Sequence, residues 1–204
     1  MDGEARGIRK SRDMGLSVIA VGYGLWLWLV KTGVVVSYGS RKEALVHKLN
    51  DIDSLLEKAR FMLEWLPGWL LPEGWDASRH FNYMNIMNPA NRNLLKGEGG
   101  KKIGHGGRST LFFADEFSLV EYQQASHAGI TANADAAIYF GTSQGAHTYF
   151  SGLESRKAMP FMVLPWYLDP RKLDDPEDAG DPTAPSQWRD KKLRETEAHI
   201  FAQQ

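Results

Sequence analysis

Leu111-Phe112-Phe113-Ala114-Asp115-Glu116 is a run of four apolar residues followed at once by two carboxylates. So short a continuous apolar run, with no helical spacing, predicts a strand buried on both faces, as in a parallel sheet. Its end would deliver Asp115 and Glu116 to the carboxyl edge of that sheet, where open α/β folds bind ligands. Working outward, Val34 to Ser37 predicts a second interior strand, Ala136 to Phe140 a third, ending at Gly141-Thr142, and Met159 to Leu164 a last one. Helices are predicted between them: Ser17 to Val30, apolar on nearly every side and therefore covered by neighbours, and a segment from Glu116 to about Gly129. Ser40 with Glu43 has the spacing of a capping box for a helix carrying Leu45 and Leu49 on one face. Leu55, Leu56, Ala59, Leu63 and Leu66 continue a helical stripe after a break near Asn50. Phe81 to Met87 alternates as an extended segment, and Asn88 to Gly107 loses its apolar period and reads as a loop. The fold class is α/β, a mainly parallel sheet with flanking helices.

The composition supports one folded body. At 204 residues the chain suits one principal core, and 24 basic against 25 acidic side chains leave a formal charge of -1, which removes any global field for nucleic acid. The absence of cysteine excludes disulfides, thiolate nucleophiles and thiolate metal sites. Val18 to Val36, preceded by Arg6, Arg9, Lys10 and Arg12, has the look of a membrane anchor. Lys31 and Thr32 cut it to an apolar piece of 13 residues, below the ~17–25 needed to span a bilayer, so a buried helix and strand are expected instead. Six of the nine prolines lie between Pro160 and Pro185, among Asp174, Asp175, Glu177, Asp178 and Asp181, which predicts an exposed acidic connector before a closing helix from Trp188. Trp65, Trp69 and Trp75 are read as closing the core beneath a loop; stacking on nucleic acid is the other use of such a cluster.

Three stretches carry candidate chemistry. Lys10-Ser11-Arg12-Asp13-Met14-Gly15-Leu16-Ser17 precedes the apolar helix and offers a cation, a glycine and a helix-start hydroxyl, the parts a phosphate loop needs. Leu16 stands where such loops ordinarily have lysine, and a basic turn capped by Ser17 fits the same residues. Asp115 and Glu116 fit a metal-holding acid followed by an acid that orients or deprotonates water. The same pair at a strand end also suits a helix cap. Tyr139-Phe140-Gly141-Thr142-Ser143-Gln144-Gly145 emerges from a strand end, either as a sensor of the site's occupancy or as a plain turn closed by Gly145.

In this order the three stretches, with Ser40-Arg41-Lys42-Glu43, Gly106-Gly107-Arg108-Ser109-Thr110 and the closing Phe201-Ala202-Gln203-Gln204, resemble the ATPase domain of tailed-phage terminase large subunits, the DNA-packaging motors. The resemblance spans about Ile8 to Gln204 and implies a P-loop NTPase-like sheet. It makes Lys10 to Ser17 a variant Walker A loop with its lysine near the beginning. Lys10, Ser11, Arg12, Gly15, Ser17 and Asp115 then bind nucleotide, with Lys10 on phosphate and Ser17 and Asp115 on Mg2+. Glu116 and Arg12 are catalytic, and Gly141, Thr142 and Ser143 form the motif coupling ATP turnover to DNA movement. Arg108 is placed in the active-site loop or between subunits. The implied cofactors are ATP and Mg2+. The implied partners are double-stranded DNA, a portal protein, a small terminase subunit, further copies in the motor and a complementary terminase fragment, with no membrane. The implied location is the bacterial host cytoplasm, transiently at the procapsid portal. Lys96, Lys101 and Lys102 either face DNA or merely solubilise the surface.

The resemblance also implies departures. Only Met1 to Gly7 precede Ile8, a polar lead expected not to supply both an adenine-binding region and the strand before Walker A, so the sheet is expected to be incomplete at the N-terminus. The expected organisation is an ATPase core over 8–168, the acidic connector over 169–187 and a closing helix over 188–204, with no nuclease activity. A noncatalytic structural or DNA-associated remnant is the alternative function.

Overall fold

A computed structural model describes residues 4–142, 145 and 147–195. The strands are β1 (Ala5–Lys10), β2 (Val35–Ser40), β3 (Phe81–Asn82), β4 (Asn85–Met87), β5 (Leu94–Gly99), β6 (Ser109–Ala114), β7 (Ala134–Gly141) and β8 (Phe161–Leu164). The helices are α1 (Leu16–Val30), α2 (Glu43–Val46), α3 (Leu55–Glu64), α4 (Ala77–His80), α5 (Gln123–Asn133), α6 (Tyr149–Ser155) and α7 (Gln187–Glu195). One sheet runs β3-β4-β5-β2-β6-β7-β1-β8, parallel from β5 to β8, with β3 and β4 antiparallel at one edge. The mainly parallel α/β sheet expected from the sequence is thus present.

β6 lies at the centre, and its alternation builds both cores. Leu111 and Phe113 pack with Val36, Tyr38 and Phe140 against α1 and α3, whereas Phe112 and Ala114 pack with Phe117, Ile130, Tyr139, Phe150 and Leu153 on the opposite side. At about 25 cal/mol per Å² of apolar surface, these two layers are the main stabilisation. Tyr38 stacks on Phe113 at 5.5 Å and sends its hydroxyl to the carbonyls of Ala20 and Val21. A Cβ at Gly24 would overlap that hydroxyl, so the glycine in α1 is what lets helix and strand approach.

Several expectations need correction. β1 supplies the strand before the Lys10–Ser17 loop: Ile8 pairs in register with Phe140 of β7 and Met162 of β8. β5 occupies part of the expected loop. Its Gly97 and Gly99 are glycines because a Cβ there would run into Val46 and Met84, or into the backbone of Glu43. Phe81 to Met87 is a hairpin of two short strands. The capping box is absent, since α2 starts after Lys42 with no side-chain cap and Ser40 Oγ is buried without a partner. α1 is buried on one side only; Ile19, Tyr23, Trp26 and Val30 are exposed. No helix among the described residues is long and apolar enough to cross a membrane. Trp75 does close the core, edge-on to Trp28 at 5.4 Å, but Trp65 and Trp69 are largely exposed. The acidic side chains of 169–187 are exposed apart from Asp169, yet Asp169, Lys172, Leu173, Ala184 and Ser186 are buried, so the segment is packed rather than free. α7 is described only to Glu195, and Phe201 to Gln204 lie outside the described residues.

Candidate active site

β1 hands the chain to Ser11–Gly15, and two left-handed residues bend that loop into α1: Asp13 at φ 60° and Gly15 at φ 69°. Glycine adopts this conformation freely; at Asp13 it costs about 1–2 kcal/mol and needs support from elsewhere. Gly15 is the N-cap of α1, with no side chain capping the first turn and no acid in it. The helix therefore presents unpaired amides and the positive end of its dipole to the space in front.

β6 brings Asp115 to that space from the other side. Ser17 Oγ donates to Asp115 Oδ1 at 3.2 Å, joining the loop's end to the strand's end. Burial raises the Asp115 pKa to about 6; the neighbouring Glu116 pushes the same way, against Lys10 and the Ser17 hydrogen bond. Glu116 sits at φ 48° and accepts from Arg41 Nε at 3.4 Å, Arg41 lying just past β2. Lys10, Gly15, Ser17, Arg41, Lys58, Asp115 and Glu116 line one crevice of about 400 Å³. Lys58 is held there by the carbonyls of Ile52 and Asp53; burial lowers its pKa, against the pull of Asp53, Asp115 and Asp51. A larger hollow of about 670 Å³ beside Tyr122 and Tyr149 gathers no comparable set of opposed charges.

The crevice can take a polyanion with a hard cation. Ser17 Oγ and the Asp115 carboxylate are adjacent oxygen donors, and a buried carboxylate of raised pKa is one that a divalent cation would relieve. Among the described residues no group of three or more His, Asp or Glu could cage a metal alone. This donor set fits Mg2+, which takes one or two carboxylates and fills its remaining positions with water and phosphate oxygens.

Lys10, Gly15, Ser17, Asp115 and Glu116 are thus brought to one crevice. Ser11 and Arg12 are not part of the lining. Ser11 is fully buried and bonded by Lys172, and the Arg12 side chain is exposed. Gly141 ends β7, the strand between β1 and β6, opposite Arg9, and buried Thr142 follows it; Ser143 lies outside the described residues. Arg108 directly precedes β6, at the far end of that strand from Asp115, and is not in this crevice. Lys101 pairs with Glu121 and Lys96 donates to the Gly106 carbonyl, while Lys102 is exposed. Sequence reasoning missed Arg41, Lys58 and Lys172. Arg41 carried two usable signals, its place immediately after a strand adjoining the acidic one and its membership of the Ser40-Arg41-Lys42-Glu43 stretch.

No family sequence model matches the chain, and no curated protein matches it in sequence. Solved structures do match its fold. The large-terminase ATPase domain of Thermus phage P74-26 aligns with 100% of this chain and 87% of its own length, at 13% identity and TM-score 0.62. The large terminase of a second, thermophilic bacteriophage, solved in complex with ADP, aligns with 98% of the chain at 13% identity and TM-score 0.61; in complex with ATP-γ-S it does so at TM-score 0.58. The chain spans about half of that second protein, 46% of its length. The fold is therefore that of phage large-terminase ATPase domains.

Proposed function

We propose that the chain is an ATP-hydrolysing segment of a large-terminase-type motor, using the Ser17–Asp115 crevice to drive double-stranded DNA into a capsid. The observation that carries this is the 3.2 Å hydrogen bond between Ser17 and Asp115, which joins the phosphate-loop candidate to the acidic strand end around one space. The fold likeness to terminase ATPase domains, one relative having been solved with ADP and ATP-γ-S, supports the same reading.

In this proposal the triphosphate lies across the amides of Asp13 to Gly15 and the start of α1, with Lys10 balancing its charge. Ser17 and Asp115 hold Mg2+, which when bound neutralises charge on the phosphate oxygens. Glu116 orients the attacking water and accepts its proton as the water oxygen bonds to the γ-phosphorus. The bond from phosphorus to the bridging oxygen breaks, and ADP and phosphate leave. Arg12, whose side chain is exposed on the loop, is assigned to stabilising transferred charge in the assembled motor. Gly141-Thr142-Ser143 is assigned to coupling. The portal, the small subunit, further copies, a complementary terminase fragment and the procapsid location in the host belong to the same proposal.

The test is Mg2+-dependent ATP binding and turnover by the purified chain. Glu116→Gln should keep binding and lower turnover by about 10²–10⁴-fold, the range for a lost general base. A folded wild-type chain that binds no Mg2+–ATP would replace the motor with the noncatalytic remnant.

A further inference from the structure

The segment after β8 folds back on the phosphate loop. Lys172 is 4% exposed, and its ammonium donates to Ser11 Oγ at 3.2 Å, to the Arg12 carbonyl and to Met14 Sδ at 3.4 Å. Asp169 stands 3.7 Å from it, and it lies over the Trp188 ring, 4.8 Å from the centroid. Arg171 donates to the Asp13 carbonyl and forks onto both Asp169 oxygens at 2.9 and 2.8 Å. Ser186 Oγ in turn holds the Lys172 carbonyl. Two adjacent cations thus grip two adjacent loop carbonyls.

We propose that Lys172 is a positioning residue for the phosphate loop, orienting its peptides so that their amides face the crevice. This rests on reading Lys10–Ser17 as a nucleotide-binding loop. In a trans peptide the C=O of one residue and the N–H of the next point in opposite directions. Fixing the carbonyls of Arg12 and Asp13 therefore turns the N–H groups of Asp13 and Met14 away from the C-terminal segment, and both residues line the crevice. The grip also supports Asp13 in its left-handed conformation. An ammonium this deeply buried is tolerated because Asp169, the Trp188 face and the loop oxygens replace its water.

The experiment compares backbone 15N order parameters and Mg2+–ATP-γ-S affinity in the wild-type chain and Lys172→Met. The order parameters of Asp13, Met14 and Gly15 should fall from about 0.8 to below about 0.6 while that of Phe113 in the central strand stays unchanged, and the Kd should rise about tenfold. Unchanged loop order parameters in a folded Lys172→Met chain overturn the proposal, as does a fall spread equally over the sheet. Arg171→Ala, at a side chain 70% exposed, tests the same grip without opening a buried hole, and should lower the order parameter of Met14. If the wild-type chain binds no nucleotide, the proposed function fails, while the order-parameter comparison still decides whether Lys172 positions the loop.

Discussion

Arg41 Nε lies 3.4 Å from Glu116 Oε2, so the carboxylate that would receive a proton from the attacking water is already engaged by a cation from the end of β2. Both side chains are 37% exposed, which limits the pair to about 1 kcal/mol or less. Arg41→Ala should therefore raise basal ATP turnover by about two- to fivefold with little change in KM. Steady-state kinetics with and without DNA would check this; a loss of turnover would mean that Arg41 serves the reaction rather than restraining Glu116.

Asp115→Asn should stabilise the nucleotide-free fold while abolishing Mg2+-dependent nucleotide binding. The Asp115 pKa is about 6 in the fold, against about 3.9 in an unfolded chain. The folded chain therefore binds the extra proton between those values, and this group's stability contribution declines as pH rises from about 4 to 6. Above that window the ionised, buried carboxylate costs roughly 2–3 kcal/mol, which the asparagine removes. Melting of both chains at pH 4.5 and 7.5 should show the variant's advantage growing with pH, and Mg2+–ADP should raise the melting temperature of the wild type alone.

His47 gives a pH effect of the opposite sign. Its ring Nδ1 accepts the Met84 N–H at 2.8 Å, its Nε2 lies 3.6 Å from Glu57, and it packs on Phe81 and Tyr83. Burial lowers its pKa despite Glu57, with Arg60 adding to the lowering. The unfolded chain thus takes up the proton first, and stability falls as pH drops below about 6.5, while above it this group is neutral in both states. Denaturant titrations of wild type and His47→Phe between pH 5 and 8 should show that slope in the wild type and its loss in the variant.

Gly24→Ala should cost about 1–3 kcal/mol through overpacking against the Tyr38 hydroxyl. Tyr38→Phe removes the obstructing oxygen, so the double variant should recover most of the loss. Additive destabilisation in a double-mutant cycle would show that the hydroxyl is not what the glycine makes room for.

What could be read from the sequence follows from how much of each element's burial is written into the element itself. From Leu111 to Ala114 β6 is buried on both faces and therefore apolar at each position, which made that run plain and put Asp115 and Glu116 at its end. β1 was hidden because Ala5-Arg6-Gly7-Ile8-Arg9-Lys10 carries only one large apolar residue. Its charges are met elsewhere, with Arg9 forked onto Glu154 of α6 and Arg6 paired with Glu4. β5 was hidden by glycines whose reason lies in other elements. The pairing of Ser17 with Asp115 could be expected from the order of strands, but the grip of Lys172 on the loop could not. It joins residues about 160 positions apart, and nothing in the local sequence of either marks the other.

β7 is wedged between the strand that carries the loop and the strand that carries the acids. The Ser17–Asp115 hydrogen bond therefore joins the ends of two strands that are not themselves neighbours in the sheet. Its last residue, Gly141, is packed so close to Ser118 that a methyl group would not fit. The tip of β7 is thus a feeler gauge slipped between two jaws, its thickness set by the contact with Ser118.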